Sequence, residues 1–115
     1  MFWNLASNGD ADCRLFDQNG VVYTSGVVCE DEGKDTTEQT KIALEYLDGL
    51  LLKCKSDKHH IMSMQVWLND INDKPLMDAV YDAWVSKTCP PTIACVESKL
   101  QPPYKVEFRA IAAQI

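Results

Sequence analysis

The chain lacks the sequence features of several large classes of protein. It has no run of about 18 apolar residues that would cross a membrane, and its opening Met-Phe-Trp lacks the positive flank of a secretory signal. It has no glycine-rich phosphate loop and no dinucleotide fingerprint. The absence of membrane and secretory signals predicts a cytoplasmic location, and the absence of these motifs predicts no cofactor. A length of 115 residues fits one domain, so we expect a single domain over residues 1–115.

Paired cysteines are also missing. The five cysteines are widely spaced and form no C-x-x-C motif, so the pattern predicts neither a zinc site nor a redox motif. Asp70 and Asp73 lack the spacing of a calcium loop, and helix capping explains them. We therefore predict no metal site, and thiols that are reduced and mostly buried.

Basic residues are few. Eleven lysines and arginines against seventeen acidic residues give a formal net charge of −6, whereas proteins that bind nucleic acid usually present a basic patch. The nearest candidate is a cluster of Lys53, Lys55, Lys58, His59 and His60. We interpret this cluster as the cationic end of a helix, which the helix dipole favours; the alternative is a nucleic-acid contact.

The first third of the chain predicts two strands and a helix. Residues 13–16 and 21–28 are strand candidates, the second ending near Gly26, and Gln18-Asn19-Gly20 between them is a hairpin signal. An acidic loop follows over residues 30–35. A capping box, either Thr36 with Gln39 or Asp35 with Glu38, then begins a helix that ends near Lys55. Its apolar residues recur at helical spacing: Ala43, Leu47, Leu50, Leu51 and Cys54. Gly49 allows a close approach of this helix to the sheet.

Residues 61–69 switch to a period of two, which predicts a strand. One face is apolar, with Met62, Met64, Val66 and Leu68, and the other is mixed, with Ser63, Gln65 and Trp67. A tryptophan on the mixed face indicates that this face is also covered, by another subunit.

A second helix and two closing strands complete the chain. Asn72 or Asp73 begins the helix, Pro75 lies in its first turn, and Pro90-Pro91 prevents its continuation. The apolar stripe of this helix comprises Leu76, Met77, Val80, Tyr81, Trp84 and Val85. The last two strands are joined by a Leu-Gln-Pro-Pro turn. The predicted order is β-β-α-β-α-β-β, an α+β fold with a mostly antiparallel sheet and both helices on one face.

The closing segment, residues 90–115, reads PPTIACVESKLQPPYKVEFRAIAAQI. It resembles the signature of the RidA/YjgF family, historically labelled L-PSP endoribonucleases, whose members end in P-x-R-x-x-V-x-x-x-x-L-x-x-x-x-x-V-E-I-x-A-x-A. The pattern is kept at Pro90, Val96, Leu100, Val106, Glu107, Ala110 and Ala112. Residues 23–28, YTSGVV, and 66–84, VWLNDINDKPLMDAVYDAW, are similar to two further family segments. The resemblance implies a chorismate-mutase-like fold and a homotrimer whose active sites lie in clefts between subunits.

The resemblance also implies a chemistry, the hydrolysis of small reactive enamines and imines. Glu107 falls on the family glutamate that positions or activates water, and Ser25 on the serine of its S-G motif. Asp78 falls where many members have asparagine, and Ala94 where some have cysteine. Thr92 occupies the place of the family arginine, which would hold a substrate carboxylate.

The replacement of that arginine is the main departure from the family. A threonine hydroxyl cannot form the two charged hydrogen bonds of a guanidinium, so we expect weak or altered activity. Arg109 or Lys105 shares the strand face of Glu107 and is a candidate for the missing cation; the alternative is an exposed charged surface. Three functions follow: an enamine/imine deaminase, a non-catalytic homotrimer that binds a small ligand or partner, and an endoribonuclease, against which the acidic charge argues.

Overall fold

The computed structural model describes the backbone of residues 13–16 and all of residues 20–115. The strands are β1 (Cys13–Phe16), β2 (Val21–Thr24), β3 (Ile61–Leu68), β4 (Thr92–Glu97) and β5 (Val106–Ala113), and the helices are α1 (Thr36–Lys53) and α2 (Lys74–Trp84). This order confirms the predicted β-β-α-β-α-β-β arrangement. Of the predicted hairpin turn, Gln18 and Asn19 lie outside the described residues.

The five strands form one sheet in the order β1-β2-β5-β3-β4. All neighbouring pairs are antiparallel except β3 and β4, which are parallel, so the predicted mostly antiparallel sheet is confirmed. The last two strands do not pair with each other, because β3 lies between them. The Leu-Gln-Pro-Pro segment is therefore a connection across β3 and not a hairpin turn.

Both helices pack on one face of this sheet and bury the core. The core is apolar and draws on both helices and on alternate residues of β3 and β5: Ala43, Leu44, Leu47, Leu50, Leu51, Met64, Val66, Leu68, Met77, Val106, Phe108 and Ala110 are among its members. None of the helices in the described part of the chain is both long and apolar enough to cross a membrane.

The N-terminus of α1 is fixed by Asp35, whose side chain accepts a hydrogen bond from the Glu38 amide while the Glu38 side chain bonds the Asp35 amide. Of the two predicted capping boxes this is the one that forms. Gln39 is fully buried instead; its amide group donates to the Pro103 carbonyl at 2.9 Å and accepts from the Lys105 amide at 2.8 Å. The start of α1 is thereby tied to the segment that leads into β5.

Several positional predictions were wrong. Met62 is 45% exposed because the β3–β5 register shifts between Ile61 and Ser63, and a bulge inserts one residue that breaks the alternation. Leu76 is 47% exposed and points away from the core. Gly49 is exposed, and a Cβ added to it would meet nothing within 4 Å, so this glycine does not serve a close approach to the sheet.

Candidate functional site

The sheet face opposite the helices carries most of the predicted site residues, and we call it the open face. Pairing places Glu107 beside Trp67, Arg109 beside Gln65, and Ile111 beside Ser63. On the other side of β3, the parallel pairing continues these rows to Val96, Ala94 and Thr92. Since paired residues point to the same side of a sheet, the open face consists of Val21, Tyr23, Ser63, Gln65, Trp67, Thr92, Ala94, Val96, Glu107, Arg109, Ile111 and Ala113.

Glu107 is a half-buried carboxyl group on this face. Among the residues that the structure describes, it has neither a hydrogen-bond partner nor an ion-pair partner. Burial raises the pKa of Glu107 above its ordinary value, because desolvation penalises the charged form. A partly desolvated carboxyl group without a partner is suited to proton transfer.

The chain after β2 is what confines this carboxyl group. Val27 and Phe108 exchange backbone hydrogen bonds of 2.8 and 3.0 Å, which brings the Ser25-Gly26 segment against Glu107. A Cβ built on Gly26 would lie 2.0 Å from Oε2 of Glu107, so Gly26 is the residue that leaves space for the carboxyl group. The structure thus brings two of the predicted site residues, Ser25 and Glu107, into one corner. Sequence reasoning did not assign Gly26 a role, although it is the glycine of the S-G motif.

Thr92, Ala94 and Arg109 also reach the open face, but Thr92 and Ala94 do so from the edge strand. The Thr92 hydroxyl is exposed and donates a hydrogen bond to the Met62 carbonyl at 3.1 Å. Ala94 and Arg109 stand in the same row on either side of Gln65. Lys105 does not share the strand face of Glu107 as predicted, because β5 begins at Val106; it borders a separate surface groove with Gly33, Lys34, Asp35 and Pro103.

Asp78 is not brought together with Glu107 in the chain, because it lies on the helix side of the sheet. It forms an ion pair with Lys74, with 2.7 Å between Oδ2 and Nζ, beside a groove of about 340 Å³ between α2 and β4. This α2–β4 groove is lined by Lys74, Asp78, Tyr81, Asp82, Ile93 and Cys95.

A buried hydroxyl group and a half-buried thiol characterise the α2–β4 groove. The Tyr81 hydroxyl is the one buried side-chain oxygen or nitrogen atom in the described part of the chain without a hydrogen-bond partner. Burial, with a contribution from Asp82, raises the pKa of Tyr81 to about 12, so this hydroxyl remains a neutral donor and acceptor. Burial also raises the pKa of the Cys95 thiol, which keeps it protonated.

Two positions of this chain can correspond to the family arginine, depending on whether one counts from Pro90 or from Val96, and the structure places them on opposite sides of the sheet. In the family pattern proline and valine are five residues apart, whereas Pro90 and Val96 are six apart. Counted from Pro90 the arginine position is Thr92, on the open face. Counted from Val96 it is Ile93, and the cysteine position two residues later is then Cys95, in the α2–β4 groove with Asp78. Both positions are neutral. Cys95 is half-buried and packs against the edge of the core. Sequence reasoning gave it no role in the site, although its spacing from Val96 was a signal that could have done so.

The lysine–histidine cluster near the end of α1 is engaged within the fold. The Lys58 ammonium lies 5.4 Å from the centroid of the Trp84 ring, and Nδ1 of His59 lies 2.8 Å from the Ser86 hydroxyl. His60 hydrogen-bonds Asp57 at 2.7 Å and thereby lowers the pKa of that carboxyl group. These contacts favour the structural interpretation of the cluster. Over the described residues, no group of three His, Cys, Asp or Glu side chains could hold a metal ion.

Solved structures with this fold define the class of protein. A YjgF family member from Neisseria meningitidis superposes with a TM-score of 0.81 at 34% identity, over 91% of this chain and 97% of that one. An uncharacterized protein from Pseudomonas aeruginosa superposes with a TM-score of 0.87 at 30% identity, over 98% of this chain and 96% of its own.

Sequence relatives identify the family. The family model described as Endoribonuclease L-PSP matches residues 13–114. The RutC family protein YoaB of Escherichia coli is 36% identical over 90% of this chain and 94% of its own length, and a RutC family protein of Haemophilus ducreyi is 36% identical over 83% and 82%. The chain belongs to the L-PSP endoribonuclease family, which includes the RutC and YjgF proteins.

Proposed function

We propose that the protein hydrolyses small reactive enamines or imines in clefts between the subunits of a homotrimer. The observation that carries this proposal is the state of Glu107. Its carboxyl group is half-buried, has a raised pKa and has no partner among the described residues. It occupies the space that the missing side chain of Gly26 leaves free. An unpaired, partly desolvated acid at a corner of an open surface is costly for the fold and useful for proton transfer.

The chemistry requires one group that exchanges a proton with water and substrate. Water adds to the imine carbon to give a carbinolamine, which then releases ammonia and leaves the carbonyl compound. The Glu107 carboxylate accepts a proton from the attacking water and gives it to the imine nitrogen, which forms the carbinolamine. It then accepts the proton of the carbinolamine hydroxyl and gives it to the nitrogen as the C–N bond breaks, so ammonia leaves, the C=O bond forms and the carboxylate is regenerated. Gly26 keeps the space beside Oε2 free for this exchange.

The positions of the site residues support a site formed by two copies of the chain. The Glu107–Gly26 corner lies on the open face, whereas Asp78 and Cys95 lie across the sheet in the α2–β4 groove. One copy cannot present both to the same small molecule, but the open face of one copy and the groove of the next can. The half-buried Trp67 and the 45% exposed Val96 add apolar surface that a neighbouring subunit would cover.

The thiols support the proposed cytoplasmic location. Cys29, Cys54, Cys89 and Cys95 are all unpaired, and Cys89 is exposed, a state that persists in reducing compartments.

The test is release of a 2-oxo acid from a freshly generated 2-imino acid. We expect the protein to accelerate it and Glu107→Gln to reduce the rate by about a hundredfold or more, the usual contribution of general acid–base catalysis. Glu45→Gln is the matched control, since Glu45 is an exposed glutamate of α1 and the charge change is identical. Equal rates for the two variants, or no acceleration across several imines, would contradict the proposal.

The second candidate is a non-catalytic homotrimer that binds a small ligand or partner. The observation in its favour is that both arginine positions, Thr92 and Ile93, are neutral. It predicts saturable binding of small carbonyl compounds without imine hydrolysis.

An endoribonuclease activity, the third candidate, is disfavoured by the net charge of −6 and by the contacts of the lysine–histidine cluster. It would have to co-purify with the protein and be lost in Glu107→Gln.

A further inference from the structure

Arg109 is an exposed guanidinium group on the open face, two residues beyond Glu107 on β5. In the described part of the chain it makes no hydrogen bond, ion pair or ring contact. Its neighbours in the row, Gln65 and Ala94, are neutral. Of the described side chains on the open face, Arg109 is the sole cation.

The absence of an ion pair between Arg109 and Glu107 is informative because the two groups are close. Residues two apart on one face of a strand are separated by about 7 Å, a distance that a flexible arginine side chain can span. Both groups instead keep their hydrogen-bonding capacity free, with the donors of Arg109 exposed and the carboxyl group of Glu107 held against Gly26.

A cation and an acid without partners, two residues apart on one strand face, suit a small molecule with a carboxylate next to a reactive carbon. A guanidinium binds a carboxylate through two parallel charged hydrogen bonds, while a proton-exchanging group must stand at the neighbouring imine. The small side chain of Ala94 leaves the row open beside Gln65. Two other cations are not available to the open face. Lys74 is paired with Asp78, and Lys105 borders the groove with Lys34 and Asp35.

We propose that Arg109 is the group that binds the substrate carboxylate, so that the site takes imines of 2-oxo acids in spite of the neutral Thr92 and Ile93. The inference rests on the proposed function for the reaction but not for the binding of the anion. In this site the cation therefore lies on β5 beside Glu107, whereas both positions that correspond to the family arginine lie on the edge strand β4.

The binding test uses benzoate and benzamide, which have nearly the same shape and differ in charge. Chemical shifts of the amide groups in NMR spectra give both affinities. We expect the protein, although acidic overall, to bind benzoate about tenfold or more tightly than benzamide, and Arg109→Gln to abolish this preference. Lys105→Gln is the matched control, with the same change of charge at an exposed residue just before β5. It should retain the preference; equal effects of the two variants would show a general charge effect and overturn the inference.

Two further measurements make the outcome decisive. Arg109→Gln should leave the melting temperature and the mass from light scattering unchanged, because Arg109 is exposed and unpaired; loss of the oligomer in this variant alone would make Arg109 an interface residue and overturn the inference. In the imine assay, Arg109→Gln should raise KM about tenfold for a 2-imino acid and leave an imine without a carboxylate unaffected. If hydrolysis is absent but Arg109→Gln still abolishes the benzoate preference, the proposed function fails and the inference stands.

Discussion

The two faces of the sheet use alternate residues of the same strands in opposite ways. Along β5, Val106, Phe108, Ala110 and Ala112 are completely buried under the helices, while Glu107 and Arg109 between them face the open side without partners in the described part of the chain. The covered face is apolar and closely packed. The open face combines charged, aromatic and small residues.

The comparison shows how a small domain separates stability from chemistry. Because the side-chain period of a strand is two, neighbouring residues can belong to different physical environments although their backbones are continuous. The covered face determines whether the chain folds, and the open face determines what the folded chain can bind. Substitutions of adjacent residues should therefore have unrelated effects.

The largest expected contrast is between Phe108 and its neighbour Glu107. Phe108→Ala removes the largest fully buried side chain of the described residues and should lower the free energy of unfolding by about 3–5 kcal/mol. Glu107→Gln should leave it unchanged or slightly higher, since it removes a half-buried unpaired charge. Urea titrations at one protein concentration measure both. A large loss of stability in Glu107→Gln would mean that the open face contributes to folding as the covered face does.

The next contrast concerns two glycines. Gly26→Ala should push the Glu107 carboxyl group away, because the new Cβ would lie 2.0 Å from Oε2, and we expect about a tenfold or greater loss of imine hydrolysis with little change in stability, as the flexible end of the glutamate can move. Gly49→Ala meets nothing within 4 Å on α1. It should raise the free energy of unfolding by up to about 1 kcal/mol and leave activity unchanged. An active Gly26→Ala variant would separate the glycine from the site.

The elements that depend on local pattern were predicted from the sequence. The alternation of Met64, Val66 and Leu68 with Gln65 and Trp67 gave the two faces of β3, and helical spacing gave α1 and α2. The bulge next to Met62 was not predictable, because it arises from the pairing of β3 with β5. For the same reason the sequence did not show that β4 lies parallel beside β3, since that pairing joins residues about thirty positions apart.

The site was predictable in its residue types and not in its assembly. The resemblance pointed to Ser25 and Glu107, and the structure brings their segments together through the Val27–Phe108 backbone bridge. The resemblance could not reveal that Gly26 lies against the carboxyl group of Glu107, or that Asp78 lies on the opposite side of the sheet from Glu107. Those facts depend on tertiary contacts, as does the choice of Asp35 over Thr36 for the cap, which follows from the burial of Gln39.

The smallest expected effect is a pH dependence that belongs to the open face. Burial raises the pKa of Glu107 above its ordinary 4.5 in the folded protein. Between the unfolded and the folded pKa the native state binds more protons than the unfolded state, so the contribution of this residue to stability falls as pH rises through that window and stays lower above it. The raised pKa therefore favours folding at acid pH and opposes it at neutral pH.

Glu107→Gln should remove this dependence, so the variant should gain stability relative to the parent protein as pH rises from 4 to 7. Because Glu107 is partly exposed, water screens it and the gain is modest. Urea unfolding of both proteins at several pH values, at one protein concentration, gives the difference, and carbon-13 NMR of the Glu107 carboxyl group gives its pKa directly. Glu45→Gln, an exposed glutamate on the helix side, should track the parent protein throughout. If Glu107→Gln tracks it as well, the carboxyl group is solvated like any surface acid and the open face holds no poised proton-transfer group.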